Sequence, residues 1–353
     1  MKFITAKPFF SFPSFVVNDL ADLGSLSYYN ARDCFYEIIK DLGLESGDVI
    51  LFPCSICGVA LVPFLQSNIK PLFYSLDDNL NPDIDHIADL LKSYKIKALV
   101  NVHFYGLASN EMELLEICKN EKIAFIEDCA LILPRRRDSY IGNLGNYSVF
   151  SVRKFFGVND GAILRGINNG VTCRRSSLGV ELMSLLFILK QLLRLIKYML
   201  KGFSVKIDLH GNQEEIDLSY VRNGNISKVS KYILSRAKSD TLTKRLENLK
   251  TYREAFKNTK VKVVGDSFCE NKIPYIFPIR VSNRNELFRI LLSEGIYPEP
   301  SLNAPYKDYM TAEEFERFKN IDLLASEFMG LPLHQDITRD DILKIAELVK
   351  RNV

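Results

Sequence analysis

Two segments of this sequence place reactive residue types directly after strand-like apolar runs. In FIEDCA (125–130), Asp128 ends such a run, and a carboxylate buried there needs a cationic partner. In FSVRKFFGVNDGAIL (150–164), Lys154 lies in a glycine-containing loop between two strand-like runs. An amine in a confined loop can be desolvated and act as a nucleophile, so the two segments together indicate amine chemistry beside a buried acid.

A third segment, YYNARDCFYEIIK (28–40), predicts a helix that begins near Asn30 and offers free N–H groups to a phosphate. Each of the three signals has a structural alternative. A carboxylate at a strand end can be a cap or a salt-bridge residue, a loop lysine is commonly a solvated surface group, and every helix has an N-terminus.

Other reactive residue types fit structural roles. His103 and His334 are expected to be hydrogen-bonded structural histidines. The basic run at 135–137 fits either a solvated loop or a contact to a substrate diphosphate. Cys54 and Cys57 form a CxxC, but no second pair or histidine cluster completes a zinc site, and the sequence predicts no metal centre.

The elements that must position these residues alternate as a parallel sheet requires. A predicted smaller C-terminal unit follows a charged helical stretch at 227–257. The predicted strands are 48–52, 70–76, 97–104, 123–128, 139–151, 161–166 and 273–281, and the predicted helices are 30–43, 87–94, 111–120, 286–295 and 340–351. Acidic residues at the carboxyl end of such a strand point to the ligand crevice of an open α/β sheet.

Composition describes an ordinary folded protein of enzyme size. The 353 residues correspond to about two domains at roughly 150 residues each. A chain that is 47% hydrophobic and 25% charged is neither disordered nor fibrous. The net charge of +3 is too small for a surface that coats nucleic acid, so no nucleic-acid partner is predicted.

The N-terminal sequence MKFITAKPFFSFPSF has its apolar run interrupted by Pro8 and Pro13, unlike a signal peptide. Seven scattered cysteines favour free thiols in a reducing compartment. We therefore expect a cytoplasmic protein.

The stretch 180–200 is the most apolar in the chain. Lys190, Arg194 and Lys197 interrupt it, and such cations each cost about 2.5 to 3.5 kcal/mol near the centre of a bilayer. A helix buried against the rest of the protein or at a dimer contact is expected, and a helix resting on a membrane surface is the alternative.

Taken in order, the motifs NARDCF, GLESGDVILFPC, VHFYG, FIEDCA and GNLGNYSVFSVRKFFGVNDGAIL resemble the sugar-nucleotide aminotransferases of the DegT/DnrJ/StrS type. The similarity continues through NGNISKVSKYIL (223–234) and LPLHQDIT (331–338). The SVRK form of the lysine loop matches one branch of that family. The resemblance implies an enzyme that uses pyridoxal 5′-phosphate (PLP).

This resemblance also implies an architecture. The expected fold is the α/β fold of PLP-dependent aminotransferases (fold type I), with a large mixed-sheet domain at 1–240 and a small C-terminal α/β domain at 241–353. It further implies a homodimer whose active sites form between the subunits.

Two catalytic residues carry over from the family. Lys154 matches the lysine that binds the cofactor covalently and then moves the proton between cofactor and substrate. Asp128 matches the acid that pairs with the ring nitrogen of the cofactor.

Five further residues match cofactor-binding positions of the family. The N–H groups of Ala31 and Arg32 would hold the cofactor phosphate, and the Ser151 hydroxyl would add to them. Cys57 occupies the position where many relatives stack an aromatic ring on the cofactor, and this branch often has cysteine there. Asn223 matches an asparagine that reaches the phosphate of the neighbouring subunit.

The sequence departs from the family pattern near the cofactor. Leu131 stands where relatives carry His or Gln, and Ala31 and Ala162 replace glycines. The leading hypothesis is transfer of an amino group, from glutamate by family analogy, to a nucleotide-linked keto-sugar for cell-surface polysaccharide or related sugar biosynthesis. The alternative is an aminotransferase-like interaction protein, without catalysis, that joins a polysaccharide assembly at the membrane through 180–200.

Overall fold

The computed structural model describes residues 4–5, 26–107, 110–133, 141–166, 176–201, 216–222, 224–236, 240–265, 272–299, 302–303 and 309–353. The strands within them are β1 (Ile4–Thr5), β2 (Leu26–Tyr28), β3 (Val49–Pro53), β4 (Lys70–Tyr74), β5 (Ile96–Val102), β6 (Ala124–Asp128), β7 (Tyr147–Ser151), β8 (Ala162–Arg165), β9 (Lys262–Val263), β10 (Ile276–Arg280), β11 (Ile296–Tyr297) and β12 (Phe328–Pro332). The α-helices are α1 (Ala31–Asp41), α2 (Gly58–Gln66), α3 (Ile84–Ser93), α4 (Glu111–Glu121), α5 (Leu178–Lys201), α6 (Lys228–Ser235), α7 (Thr241–Phe256), α8 (Arg284–Ser293), α9 (Ala312–Arg317), α10 (Lys319–Glu327) and α11 (Arg339–Arg351).

A seven-stranded mixed sheet forms the centre of the larger unit, in the order β2-β8-β7-β6-β5-β3-β4. Strands β3, β4, β5, β6 and β7 run parallel to one another. Strand β8 is antiparallel to its neighbours β7 and β2. A parallel strand covered on both faces needs apolar side chains on both. Ile50, Leu51 and Phe52, which are successive residues of β3, are all fully buried. The carboxyl ends of the parallel strands consequently share one edge of the sheet.

The C-terminal part forms a second, antiparallel sheet in the order β12-β10-β9. Helix α7 packs against α11 beside it. A capping box between Thr338 and Asp341 defines the start of α11. The helices predicted at 286–295 and 340–351 are therefore present, displaced by one or two residues.

The strand predicted over 139–151 is wrong in part. Residues 134–140 lie outside the described residues, and 141–146 form a turn before β7. Gly142 has a φ of +72°, and a Cβ there would meet the Phe150 ring at 2.3 Å. The N–H groups of Gly142, Leu144 and Gly145 all donate to the Glu127 carboxylate instead of a strand partner. A buried acid thus determines the local conformation.

Helix α5 covers the stretch that the sequence marks as most apolar. Its inner side is attached to the body, since Val180 and Ser184 are buried. Its outer side exposes aliphatic residues, so the expected burial against the rest of the protein holds on one side only. In the described part of the chain, no helix combines the length and the hydropathy that crossing a bilayer requires.

Candidate active site

The carboxyl edge of the central sheet brings the two predicted catalytic residues together. Asp128 is the last residue of β6, and it pairs in register with Val149 of the adjacent parallel strand β7. Lys154 ends a short 3-10 turn that immediately follows β7. Because β6 and β7 are neighbours and run in the same direction, both side chains belong to one site.

The Asp128 side chain is buried, with 6% of its surface exposed. Its Oδ1 accepts the Ala130 N–H at 2.9 Å. Burial raises the pKa of the Asp128 carboxyl, although the Ala130 N–H and the charge of Lys154 act against this rise. Among the described residues, none donates a hydrogen bond to its Oδ2. That oxygen fits a protonated ring nitrogen.

Lys154 is half-buried, with its amine available. The ammonium lies 5.9 Å from the centre of the Tyr275 ring, and it makes no hydrogen bond or salt bridge with the described residues. The Tyr275 hydroxyl donates to Glu299 Oε2 at 3.2 Å. Such an amine, placed over an aromatic ring beside a buried acid, can attack a carbonyl carbon.

The residue after Lys154 is held by side chains from the C-terminal part. Gln335 donates through Nε2 to the Phe155 carbonyl at 3.1 Å, and Arg245 donates through Nε to Gln335 Oε1 at 3.0 Å. The Arg245 guanidinium lies 4.9 Å from the centre of the Phe155 ring. Burial lowers the pKa of Arg245 to about 9. Sequence reasoning missed this clamp, and the position of Gln335 inside LPLHQD is the one signal that could have drawn attention to it.

The far end of the lysine loop is anchored by a second buried acid. Asp160 Oδ1 accepts the Ser227 N–H at 2.8 Å, and Oδ2 accepts the Ser230 hydroxyl at 3.0 Å. The Ser184 hydroxyl of α5 donates to Asp160 as well. The loop that carries Lys154 is therefore held at both ends, which limits the positions its amine can reach.

The predicted phosphate seat lies at the first turn of α1. Asn30 caps the helix by accepting the Asp33 N–H, so the N–H groups of Ala31 and Arg32 are the ones left for a ligand. Ser151 lies close to this turn. It pairs with Ala162 of β8, and Ala162 pairs on its other side with Tyr28 of β2, two residues before Asn30. The Ser151 hydroxyl has no hydrogen-bond partner in the described part of the chain.

Tyr220 covers the same turn. Its hydroxyl accepts from Asn30 Nδ2 at 2.8 Å and donates to Asp33 Oδ1 at 3.0 Å. The Arg32 guanidinium stacks 3.7 Å from the centre of the Tyr220 ring. This directs the Arg32 side chain to Tyr220, while its backbone N–H stays available.

Cys57, Leu131 and Asn223 are the remaining residues that the sequence places near the cofactor. Cys57 is the half-buried N-cap residue of α2, directly beyond the carboxyl end of β3. Leu131 contributes its carbonyl, which accepts the Tyr275 N–H at 3.1 Å, and its side chain supplies no polar contact. Asn223 lies outside the described residues, as do the three arginines at 135–137. The Gly224 carbonyl accepts the Tyr29 N–H of the same chain at 2.8 Å.

His103 belongs to a buried charged network behind the sheet edge. Its Nε2 is 3.0 Å from Glu127 Oε1 and its Nδ1 is 3.4 Å from Glu111 Oε1, and Lys272 also pairs with Glu111. Burial alone would lower the pKa of His103, but the nearby carboxylates of Glu111 and Glu127 outweigh it and raise that pKa. Burial opposes ionisation of Glu111 too, yet His103 and Lys272 lower its pKa to about 2. His103 is thus a charged structural residue that connects Glu111 with Glu127.

Replacing Glu111 by Gln should destabilise the protein by about 3 kcal/mol near pH 7, because a buried ion pair loses one partner. The folded pKa of Glu111 is depressed, so its contribution is present above the ordinary glutamate pKa and is lost as the pH falls toward about 2. The gap between wild type and Glu111→Gln should therefore narrow in acid. Urea unfolding of both proteins at neutral and acid pH measures it.

Glu113→Gln is the matched control, since Glu113 is exposed on the same helix. It should cost less than about 0.5 kcal/mol at either pH. Equal losses for the two variants, or a gap that widens in acid, would contradict the charged network.

The cysteine and metal alternatives find no support in these surroundings. Cys54 is fully buried, and burial raises the pKa of its thiol to about 12. His103, Glu127 and Cys129 lie close enough together to hold an ion. However, N–H groups and His103 already donate to both Glu127 oxygens, and burial keeps the Cys129 pKa well above its usual value. This cluster is explained by internal hydrogen bonding.

The sequence profile of the DegT/DnrJ/EryC1/StrS aminotransferase family matches residues 33–161, which include Cys57, Asp128 and Lys154. The chain is also 25% identical over 336 residues to a dTDP-3-amino-3,6-dideoxy-alpha-D-galactopyranose transaminase of Aneurinibacillus thermoaerophilus. That alignment covers 91% of this chain and 84% of the relative.

Solved structures share the fold. An aminotransferase of the same family from Brucella abortus superimposes with a TM-score of 0.66 at 18% identity, covering 94% of this chain and 87% of that one. The GDP-4-keto-6-deoxy-D-mannose-3-dehydratase of E. coli, with bound hydrated PLP, gives a TM-score of 0.63 at 19% identity, covering 93% and 88%. The predicted fold class, that of the PLP-dependent aminotransferases, is confirmed.

Proposed function

We propose that the chain is a member of the DegT/DnrJ/EryC1/StrS aminotransferase family, as its motifs predicted, and that it transfers an amino group to a nucleotide-linked keto-sugar. Glutamate is the proposed amino donor and leaves as 2-oxoglutarate. The relative from Aneurinibacillus acts on a dTDP-linked sugar, which supports a nucleoside diphosphate sugar as the acceptor. A role in cell-surface polysaccharide synthesis and a cytoplasmic location are part of the same proposal.

One observation carries this function: Asp128, a buried acid with one oxygen that accepts no hydrogen bond from the described residues, and the available amine of Lys154 lie at the ends of adjacent strands. Neither Asp128 nor Lys154 has an evident role in stabilising the fold. Burial raises the pKa of the Asp128 carboxyl, and the Lys154 amine has no salt bridge with the described residues. A cofactor with a basic ring nitrogen and an aldehyde would satisfy both groups. The same residues therefore fit PLP.

We assign the cofactor contacts as follows. Lys154 would bind the cofactor covalently and Asp128 its ring nitrogen. The N–H groups of Ala31 and Arg32, together with the Ser151 hydroxyl, would hold the phosphate. Cys57 would lie against the ring, and Asn223 would complete the phosphate site from the neighbouring subunit.

When bound, PLP supplies an electron sink for the carbon that loses a proton. Asp128 would keep the ring nitrogen of the cofactor protonated, since a carboxylate stabilises a positive charge beside it. In the first half-reaction Lys154 would take the proton from the Cα of the amino donor, and in the second it would supply a proton to the sugar carbon that receives the amine. The clamp of Gln335 and Arg245 on Phe155 keeps the lysine within reach of both carbons.

The presence of Lys154 also argues for transfer rather than dehydration. By the family resemblance, the sugar dehydratase variant has His in place of the reactive lysine, whereas this chain has Lys154. A homodimer with composite sites is proposed from the family resemblance. Activity regained on mixing Lys154→Ala and Asn223→Ala chains would support it.

A screen of nucleoside diphosphate keto-sugars with glutamate tests the proposed function. The purified protein should be yellow, and borohydride should remove its visible band and leave the cofactor attached to Lys154. At least one keto-sugar should give an aminated product with equal formation of 2-oxoglutarate. A yellow holoenzyme that aminates none of them, with glutamate or any other amino donor, would contradict the proposal.

A further inference from the structure

Helix α5 carries a long apolar face that the rest of the described chain leaves uncovered. Its 24 residues extend about 36 Å. The residues on the outward face are 42% to 86% exposed: Leu178, Leu182, Met183, Leu185, Leu186, Leu189 and Leu193. A continuous apolar surface of this kind marks an interaction site.

The opposite side of the helix is firmly attached, so the outward face has a defined direction. Ser184 is buried and donates to Asp160 in the lysine loop. Glu181 accepts the Lys228 N–H at 2.9 Å, which ties α5 to the start of α6. The exposed leucines therefore project from a helix whose opposite side is attached to the rest of the chain.

Charge along the helix distinguishes between possible partners. Lys190, Arg194, Lys197 and Lys201 recur at intervals of four, three and four residues, so these positions share one side of the helix. Glu181 is the only acidic residue in the sequence of the helix, and its carboxylate accepts the Lys228 N–H. A second copy of this face would place like charges beside each other, whereas an anionic surface would neutralise them.

The residue types point the same way. Protein interfaces draw most of their binding energy from Trp, Tyr and Arg, and leucine is under-represented there. Six of the seven exposed apolar residues on this face are leucine and the seventh is methionine. Aliphatic residues on one face, with cations along the edge of that face, are typical of helices that lie in a membrane interface.

We propose that the outward face of α5 binds the surface of an anionic lipid bilayer, with the helix parallel to the membrane plane. The leucines enter the boundary of the acyl chains, and the exposed Lys190 contacts the headgroups. This peripheral contact is independent of the amine transfer proposed above and would hold the enzyme at a membrane surface.

Co-sedimentation of the full-length holoenzyme with vesicles tests this binding. The protein should bind vesicles of equimolar phosphatidylglycerol and phosphatidylcholine, and should bind pure phosphatidylcholine at least tenfold more weakly. The triple variant Leu182→Gln/Leu185→Gln/Leu189→Gln should lose at least tenfold in binding. Lys190→Glu should lose about fivefold or more, since each cation near an anionic surface contributes about that factor.

The matched control is Met112→Gln/Leu323→Gln/Leu343→Gln, which removes three equally exposed apolar residues from other helices. It should bind vesicles as wild type does, and circular dichroism should verify that both triple variants are folded. Absence of wild-type binding to the anionic vesicles, or equal binding by the α5 variant, would overturn the proposal. So would light scattering in which the α5 variant has half the mass of the wild type, because a second copy would then be the occupant.

Discussion

Lys154→Ala is expected to lose the visible band of the holoenzyme and to lower amine transfer by at least about 10³-fold. The side chain has no hydrogen bond or salt bridge with the described residues, so the substitution removes no packing partner of consequence. The loss therefore reports chemistry rather than folding. Visible absorbance, turnover with glutamate, and urea unfolding measure the three quantities.

Arg153→Ala is the matched control for this variant. Arg153 is the preceding cation of the same turn, and its side chain is exposed. It should retain the visible band and turnover within about threefold, because a solvated surface charge has little effect on the site. Lys154→Ala with near wild-type turnover would remove the lysine from the mechanism, and so would an equal loss in Arg153→Ala.

Asp128→Asn is expected to lower amine transfer by about 10² to 10³-fold while leaving the cofactor-free protein at least as stable as the cofactor-free wild type. The amide has nearly the same shape, and its Oδ1 can still accept the Ala130 N–H that Asp128 accepts at 2.9 Å. A neutral amide, however, cannot hold a proton at the ring nitrogen of the cofactor. Turnover should fall although cofactor still binds.

The direction of the stability effect follows from the raised pKa of Asp128. Burial penalises its charged form, so a neutral group at this position avoids that penalty at neutral pH. Asp128→Glu, which keeps the charge, should retain more activity than Asp128→Asn. Near-normal turnover in the amide variant would contradict the assigned role, whereas a large loss of stability would show that the charged acid is structural.

Much of the site is readable from residue types and spacing. Apolar runs that end in Asp128 or precede Lys154 predict strand ends, and parallel strands bring their carboxyl ends to one edge. The order of the motifs is sufficient to predict the resemblance to the family whose model matches residues 33–161. The start of α1 is also readable, because an asparagine before a helical pattern is a strong cap.

The contacts that hold the lysine loop are different in kind. Gln335 reaches Phe155 across 180 residues of sequence, and Ser230 reaches Asp160 across 70. Patterns within a short stretch of sequence cannot predict contacts between residues so far apart in the chain. The turn at 141–146 is a similar case, because the acceptor of its N–H groups is a buried acid on another element.

The sequence by itself determined the alternation of strands and helices, the residue types at the sheet edge and the resemblance to a family, since periodicity and motif order are properties of neighbouring residues. Only the tertiary structure decided that Asp128 keeps a free oxygen, that Arg245 and Gln335 clamp the lysine loop, and that one face of α5 stays exposed. A helical pattern states which residues share a face, but whether that face is covered depends on where distant segments pack.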